Sequence, residues 1–564
     1  MITLGIANGE TSSAVLFNGT QLIAAVSEER FSRKKMDDSF PYASIDYVLK
    51  EAGIKKTNID IISYAWSKGI PEDALSYYLD RVTRLSNEEK KIFFERLSKE
   101  QTRDLPRRNE FWEEINKDPE LSGATIEHFY HHEAHALSAC TLSPFDKCAV
   151  LTCDGRGDYE SLTFSVFNKV NNSLKKLYSS SSSDSLGFFY GRITGLLGFK
   201  PCRHEGKITG LAAYGDPKKA MPLMKKMIKY KEGHIIANLG DYYLPFYTNY
   251  SDHLVQQISS YSNEDIAAAA QLHLEEILVD FVSDQYKKHN LSKLPLCLAG
   301  GVFNNVKLNA KLRDIGTVSN LFVQPQMGDG GLALGAVCGS LNRRGISPNP
   351  VQSMSLGPVG GDIEELISEK KALGYTFKKN SMVEQIDDIV NYLSNNKVIG
   401  LVRGRMEFGP RALCNRSILY KTSDVTCNDW LNKRMSRTEF IPFAPVMTAE
   451  NGKLHLKPFN DSDSSLWFMT TTVEVSENFR KLCPAVTHID NTARPQIVSK
   501  NRDPWLHKLL GSWEELSGEL SLINTSFNQH EEPIVCTYNE AFYNLENGVV
   551  DVLVLDNWIV TKNI

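Results

Sequence analysis

His131-His132-Glu133-Ala134-His135 sets two imidazoles four residues apart. On a helix that spacing brings both rings to one face, within reach of a single cation. The order is wrong for a zinc protease, because His132 stands where His-Glu-x-x-His needs its glutamate and Glu133 comes one place late. Two carboxylates sit in comparable settings further along: Asp154 follows the apolar run Ala149 to Thr152, and Asp329 lies in Met327-Gly328-Asp329-Gly330-Gly331 after Leu321 to Val323. Two imidazoles and two carboxylates suit a borderline divalent ion, iron first and manganese or zinc as alternatives, with a position left for an oxygen ligand. The competing reading is a pair of structural histidines, and spacing alone leaves both open.

The elements that must carry these residues are strands ending in small polar turns. Ile2 to Ala7 runs into Asn8-Gly9-Glu10-Thr11-Ser12-Ser13, and Asn18-Gly19 between two further apolar runs is a hairpin signal, since both positions tolerate positive φ. The same unit recurs at Ala149 to Thr152, Asp154-Gly155-Arg156-Gly157-Asp158, Leu162 to Phe167 and Asn171-Asn172, about 145 residues later, which predicts a duplicated α/β fold whose turns expose backbone N–H groups to phosphate. Between the copies, Leu85 to Glu110 reads as a solvated amphipathic helix with Phe93, Phe94 and Leu97 on its apolar side and no chemistry. Ser179 to Ser183 reads as a flexible loop. Pro348, Pro350, Pro358 and the glycines around them mark a connection between domains, with a boundary near residue 355, hence domains 1–354 and 355–564.

Six motifs in one order resemble those of the carbamoyltransferases of antibiotic, nodulation-factor and surface-polysaccharide pathways. They are Ser27-Glu28-Glu29-Arg30-Phe31-Ser32-Arg33, His131 to Ser138, Lys207-Ile208-Thr209-Gly210-Leu211-Ala212, Ala299-Gly300-Gly301-Val302, Gly409-Pro410-Arg411-Ala412-Leu413 and Asn524-Thr525-Ser526-Phe527-Asn528. The resemblance implies a duplicated domain of the actin/Hsp70/sugar-kinase (ASKHA) type, similar to the tRNA threonylcarbamoyl transferase, followed by an α+β YrdC-like domain. It further implies that the second domain turns carbamoyl phosphate and ATP, with Mg as its counter-ion, into carbamoyl-adenylate and pyrophosphate. The first then moves the carbamoyl group to a hydroxyl of a sugar, nucleoside or natural product. Its metal would be held by His131, His135, Asp154 and Asp329, with Gly155, Gly157, Gly300 and Gly301 bringing N–H groups to the nucleotide and Lys207, Asn305 and Asn309 adding polar contacts. In the second domain Arg405, Arg411, Arg416, Arg437 and Arg494, with Asn415, Asn524, Ser526 and Asn528, form the expected anion and nucleotide site.

The departures from the family pattern concern the base and several turns. Where the family has His-Asp before its first Ser-rich turn, this chain has Gly9-Glu10, so Glu10, His132 or His204 must deprotonate the acceptor. Cys414 and Glu531 replace glycines, and Arg437-Thr438-Glu439-Phe440-Ile441-Pro442 differs from Arg-Glu-x-Phe-Arg-Pro. An ASKHA-type kinase, or a regulatory nucleotide-binding protein that has lost its base, are the alternative functions, and pyrophosphate release separates them from the transferase.

Composition is compatible with all three. The 564 residues, 42% hydrophobic and 23% charged, describe a folded protein of several units, and a net charge of −5 supplies no global field for a polymeric nucleic acid or an anionic membrane. There is no basic lead followed by an apolar run at the start and no bilayer-length apolar stretch, and ten scattered cysteines read as reduced core residues, so the expected compartment is the cytoplasm.

Overall fold

The computed structural model describes residues 1–66, 71–244, 247–437, 442–460 and 463–562. The chain divides into two units, Met1–Ser27 with Asp38–Val351, and Glu28–Asp37 with Gln352–Ile564. The excursion of Glu28–Asp37 into the second unit departs from the expectation of a continuous first domain.

The first unit holds two five-stranded sheets of identical connectivity. In one, β1 (Ile2–Ala7), β2 (Ser13–Asn18) and β3 (Gln21–Ser27) form an antiparallel meander, and β4 (Ile61–Tyr64) and β5 (Thr125–His128) add parallel to β1, giving the order β3-β2-β1-β4-β5. In the other, β6 (Lys147–Gly157), β7 (Glu160–Asn168) and β8 (Ser173–Ser181) are the meander, and strands Leu296–Ala299 and Leu321–Val323 add parallel to β6. Parallel additions require crossovers, and helices supply them, so the strand ends that carry the polar turns are left open. The duplicated topology is that of the ASKHA class. The turn between β2 and β3 is Gly19-Thr20, with Gly19 at φ 57° and Asn18 the last residue of β2. Its counterpart between β7 and β8, Lys169 to Asn172, is made without glycine, Asn172 sitting at φ 51°.

Two expectations for this unit fail. Ser179–Ser183 is not a loop: it is the buried end of β8 and the turn after it, fixed by Ser181 and the backbone of Ala237 on Asp184, and by Ser179 on Glu160. Nor is Leu85 to Glu110 merely solvated. It belongs to the helix Asn87–Lys117, capped by the reciprocal Ser86–Glu89 box, and Arg96, Glu100, Asp104 and Arg108 recur every four residues along one face with at most 8% exposure, while Phe94 points outward. A ladder of charges at that period is an internal polar seam, and its partners lie in the site.

The second unit is built on an eight-stranded mixed sheet, from Tyr375–Lys379 at one edge through Ile399–Val402, Arg416–Lys421 and Leu522–Ser526 to Gln496–Val498 at the other. Successive residues alternate between its two cores: Val552 and Val554 pack with Leu509 and Trp513 on one face, Leu553 and Leu555 with Phe479 and Phe542 on the other. Among the described residues no helix is long and apolar enough to cross a membrane. All ten cysteines are free, nine of them buried.

Candidate active site

The helix His131–Cys140 follows β5, and its first turn explains the misplaced Glu133: that carboxylate accepts the N–H of Tyr130 at 3.3 Å as a cap, while Asp158 accepts the N–H of His131 at 2.8 Å. With the helix start so pinned, His131 and His135 stack on one face, both fully buried, ring centroids 4.7 Å apart. Asp154 near the end of β6 and Asp329 at the turn after Leu321–Val323 meet them. His135 Nε2 is 3.1 Å from Asp154 and 3.5 Å from Asp329, and His131 Nε2 is 3.8 and 3.7 Å from the same two carboxylates. One ligand atom from each of the four lies within 4.8 Å of every other. His131 Nε2 is buried without a hydrogen-bond partner although it faces two carboxylates, which is the arrangement of a ligand aimed at a cation. Burial works against a charge on His135, yet the hydrogen bonds and charges of Asp154 and Asp329 outweigh it and raise its pKa to about 9. The donors therefore suit a divalent ion.

The glycines act on this cluster. The N–H groups of Gly155 and Gly301 donate to Asp154 at 2.6 and 3.1 Å, so those two amides orient a carboxylate of the cluster, and that of Gly300 donates to the Met327 carbonyl at 2.7 Å, where a nucleotide contact was expected of all three. Gly157 lies under His131, where a Cβ would stand 2.0 Å from the imidazole Cγ. Asn305 caps the helix Val306–Arg313 and pairs with Gln271, and Asn309 donates to the Phe303 carbonyl. Lys207 is buried in the helix Glu205–Leu211 with its ammonium 5.8 Å from the Phe199 ring centroid.

The seam on the long helix binds both polar turns. Arg103 meets Glu10 at 3.3 Å, Asn8 donates to the Arg107 carbonyl and Glu110, Asp104 takes a two-pronged pair from Arg156 at 2.7 and 2.8 Å, and Arg108 meets Asp158 at 2.8 Å. Glu10 keeps 37% of its side chain exposed, and its pKa is raised by desolvation and by Asp329, against Arg103. It lies within electrostatic reach of Asp329 and Asp154 of the cluster. His132 is not: one residue past His131 its ring turns away, is fully buried and bonds Thr152 at 2.7 Å, with burial holding it neutral. His204 receives the Lys200 N–H at 3.1 Å. Sequence reasoning missed its neighbour Glu205, whose pKa desolvation raises to about 7, opposed by the N–H of Cys202 and helped by Glu10. A lone Glu after His204 offers no signal in sequence. The seam did, as four charges at a period of four.

In the second unit several residues of the expected anion site are engaged by the protein itself. Arg416 is fully buried and all three of its nitrogens donate to carbonyls, of Cys536, Arg403, Gly404, Asn415 and Pro358, so it is a structural arginine and not the phosphate ligand expected. Arg405 likewise donates to the carbonyls of Leu356 and Gly357, Asn415 to Ser355 and Arg405, and Asn524 to Ala412 and Gln496. Arg437 bonds Thr525, Ser526 and Asn528, tying the Asn-Thr-Ser-Phe-Asn loop together at 2.7 to 2.9 Å. Thr438 to Ile441 of the divergent segment lie outside the described residues. Burial lowers the pKa of Arg411 well below its usual value, and the charge of Arg494 lowers it further. Glu407, absent from the expectations, shapes the loop by accepting the N–H groups of Leu413, Asn415 and Arg416. Cys414 and Glu531, the two replaced glycines, sit at φ 71° and 62°, so those family glycines answer a backbone demand that this chain meets with strained residues.

The first unit thus sets a His/Asp cluster in a duplicated ASKHA core, and the second unit is built on a mixed sheet. The family described as Carbamoyltransferase N-terminus matches residues 3–338 and that described as Carbamoyltransferase C-terminus matches 390–562, and the chain belongs to the carbamoyltransferase family. It is 33% identical to an uncharacterized protein of Methanocaldococcus jannaschii, covering 99% of each chain. It is 32% identical to the nodulation protein NolNO of Sinorhizobium fredii, over 98% of this chain and 78% of that one. The 3'-hydroxymethylcephem-O-carbamoyltransferase of Amycolatopsis lactamdurans is 29% identical over 64% of this chain and 66% of its own.

Proposed function

We propose that the protein is an ATP-dependent O-carbamoyltransferase whose second unit makes carbamoyl-adenylate and whose first unit delivers the carbamoyl group to a hydroxylated small molecule. In balanced form, water cleaves carbamoyl phosphate to carbamate and phosphate, a carbamate oxygen attacks the α-phosphorus of Mg-bound ATP, and pyrophosphate leaves. The acceptor oxygen then attacks the carbamoyl carbon, AMP departs with the bonding pair, and the hydroxyl proton passes to a base. Arg411 and Arg494 suit the polyanionic substrates of the first half. His131, His135, Asp154 and Asp329 would hold a divalent ion, iron, manganese or zinc, whose charge at the transfer site stabilises negative charge gathering on the adenylate. Glu10 supplies the base that the family's missing histidine leaves wanting, and a raised pKa makes it a better proton acceptor.

The observation that carries this reading is the convergence of the four ligand atoms within 4.8 Å, with the raised carboxylate of Glu10 feeling both of their aspartates. The relative named for O-carbamoylation of a cephem hydroxymethyl group supports an O-linked product and leaves the acceptor itself open among sugars, nucleosides and natural products. The test is mass spectrometry of reactions containing ATP, carbamoyl phosphate and a panel of such acceptors. A product heavier by about 43 mass units, the replacement of H by CONH2, with release of pyrophosphate, is expected. Transfer of phosphate to the acceptor, without pyrophosphate, would instead identify a kinase.

A further inference from the structure

The chain leaves β3 at Ser27, gives ten residues to the second unit, and resumes the first at Asp38. The segment follows the completed first meander and adds no strand to its sheet, and its contacts lie in the second unit. Glu29 folds the segment onto itself: its carboxylate accepts the N–H of Met36 at 2.7 Å and pairs with Arg30 at 3.2 Å. Arg33 and Met36 sit at φ 58° and 54°, so the compact turn is held at some backbone cost. Two arginines then reach out. Arg30, 6% exposed, donates to the carbonyl of Gly409, the residue before Pro410-Arg411. Arg33 spans two carbonyls, Pro533 at 2.8 Å and Ile534 at 2.9 Å, and pairs with Glu540 at 3.1 Å. The next residue, Val535, donates back to Phe527 of the Asn-Thr-Ser-Phe-Asn motif at 2.9 Å, so Arg33 grips the far side of the loop that Arg437 and Ser526 begin.

We propose that Glu28–Asp37 is a working part of the anion site, with Arg30 and Arg33 as positioning residues that set the Arg411 turn and the Ser526 loop at the distance a pyrophosphate-bearing substrate requires. This rests on the reading of Arg411 and Arg494 as the anion ligands. The guanidinium of Arg33 suits the task, because its planar fork fixes two carbonyls at once where a lysine holds a single point, and that of Arg30 holds the Gly409 carbonyl while paired with Glu29. Lys35 of the segment lies within reach of the charges of Arg437 and Glu531, and its burial lowers its pKa. Loops carrying like charges repel, and without a brace they would relax apart and lose the substrate before they lost the fold.

The test measures binding of inorganic pyrophosphate to the full-length protein by calorimetry, with melting temperature recorded alongside, for wild type, Arg411→Ala, Arg33→Ala, Arg33→Lys and Arg30→Lys. Arg33→Ala should weaken pyrophosphate at least tenfold, and the two lysine variants, which keep the charge and the fold but not the fork, should weaken it severalfold with melting temperatures within two or so degrees of wild type. If the lysine and alanine variants bind as wild type does while Arg411→Ala does not, the arginine site stands and the brace is refuted. If Arg411→Ala also binds normally, the anion-site reading fails and the brace falls with it. A loss of affinity in Arg33→Ala that Arg33→Lys fully restores would reduce Arg33 to a charge and refute the positioning role.

Discussion

Replacing Gly157 by alanine isolates the cluster with one methyl group. The residue is not at positive φ, so alanine brings no backbone strain, and the whole effect comes from where the Cβ must go: 2.0 Å from His131 Cγ, 2.2 Å from Cδ2 and 2.5 Å from Nδ1. Carbon atoms in contact sit about 3.5 to 4.0 Å apart, so the imidazole must retreat by about 1.5 Å. It cannot carry its helix along, because the His131 N–H is held by Asp158, which is itself held by Arg108. Metal–ligand distances tolerate about 0.2 Å, several times less than that retreat, so His131 leaves the coordination sphere. Elemental analysis after dialysis against limiting metal should find at least tenfold less metal in Gly157→Ala than in wild type. Melting should fall by a few degrees, for an overpacking cost of about 1 to 3 kcal/mol. Gly123→Ala, whose Cβ meets nothing within 4 Å, is the matched control and should change neither. Full metal content at the wild-type melting temperature in Gly157→Ala would refute the placement of His131 as a ligand.

Arg411→Ala and Arg494→Ala should abolish pyrophosphate release while retaining the fold, since each removes anion-directed charge and little apolar packing; release at the wild-type rate in both would unseat the arginine site. Glu10→Gln keeps shape and removes the charge, so acceptor carbamoylation should drop about 10²-fold with pyrophosphate release intact, and normal transfer would move the base elsewhere. Glu205, raised from its ordinary 4.5 to about 7, carries a proton in the folded state between those values that the unfolded chain has lost. Stability therefore falls as pH rises from about 4.5 through about 7, by at most about 3 kcal/mol and by about 1 to 2 once its partial exposure is allowed for. Melting curves of Glu205→Gln should lose this part of the slope, and an identical pH dependence in wild type and variant would show the carboxyl to be unperturbed.

The strand-turn repeats and the members of the His/Asp cluster could be read in sequence, as Gly-rich turns after apolar runs, carboxylates in such turns and an i, i+4 histidine pair. What could not be read there are duties assigned by contact. Gly155 and Gly301 look like phosphate-binding glycines, yet their amides hold Asp154. Arg416 sits in a motif as visible as that of Arg411, and only the five carbonyls around it reveal that its donors are already used. His132 differs from His131 by the 100° turn that a helix makes per residue, which sends one ring into the core and the other to the carboxylates. The long helix carried its message in plain view, since Arg96, Glu100, Asp104 and Arg108 at a period of four are incompatible with a surface stripe once Phe93 and Phe111 bury the same side. Glu28–Asp37 left no such mark, because membership of a unit is decided by partners hundreds of residues away.

The central claim is that activation and transfer are separate chemistries, one at the paired arginines and one at the His/Asp cluster, and parallel assays of His131→Ala and Asp329→Ala test it most directly. With ATP, carbamoyl phosphate and an accepted hydroxyl compound, both variants should release pyrophosphate at a rate near wild type while metal content and the product heavier by about 43 mass units fall together, the stranded adenylate ending in hydrolysis. Loss of pyrophosphate release in step with transfer, or unimpaired transfer by a variant that has lost its metal, would contradict the account.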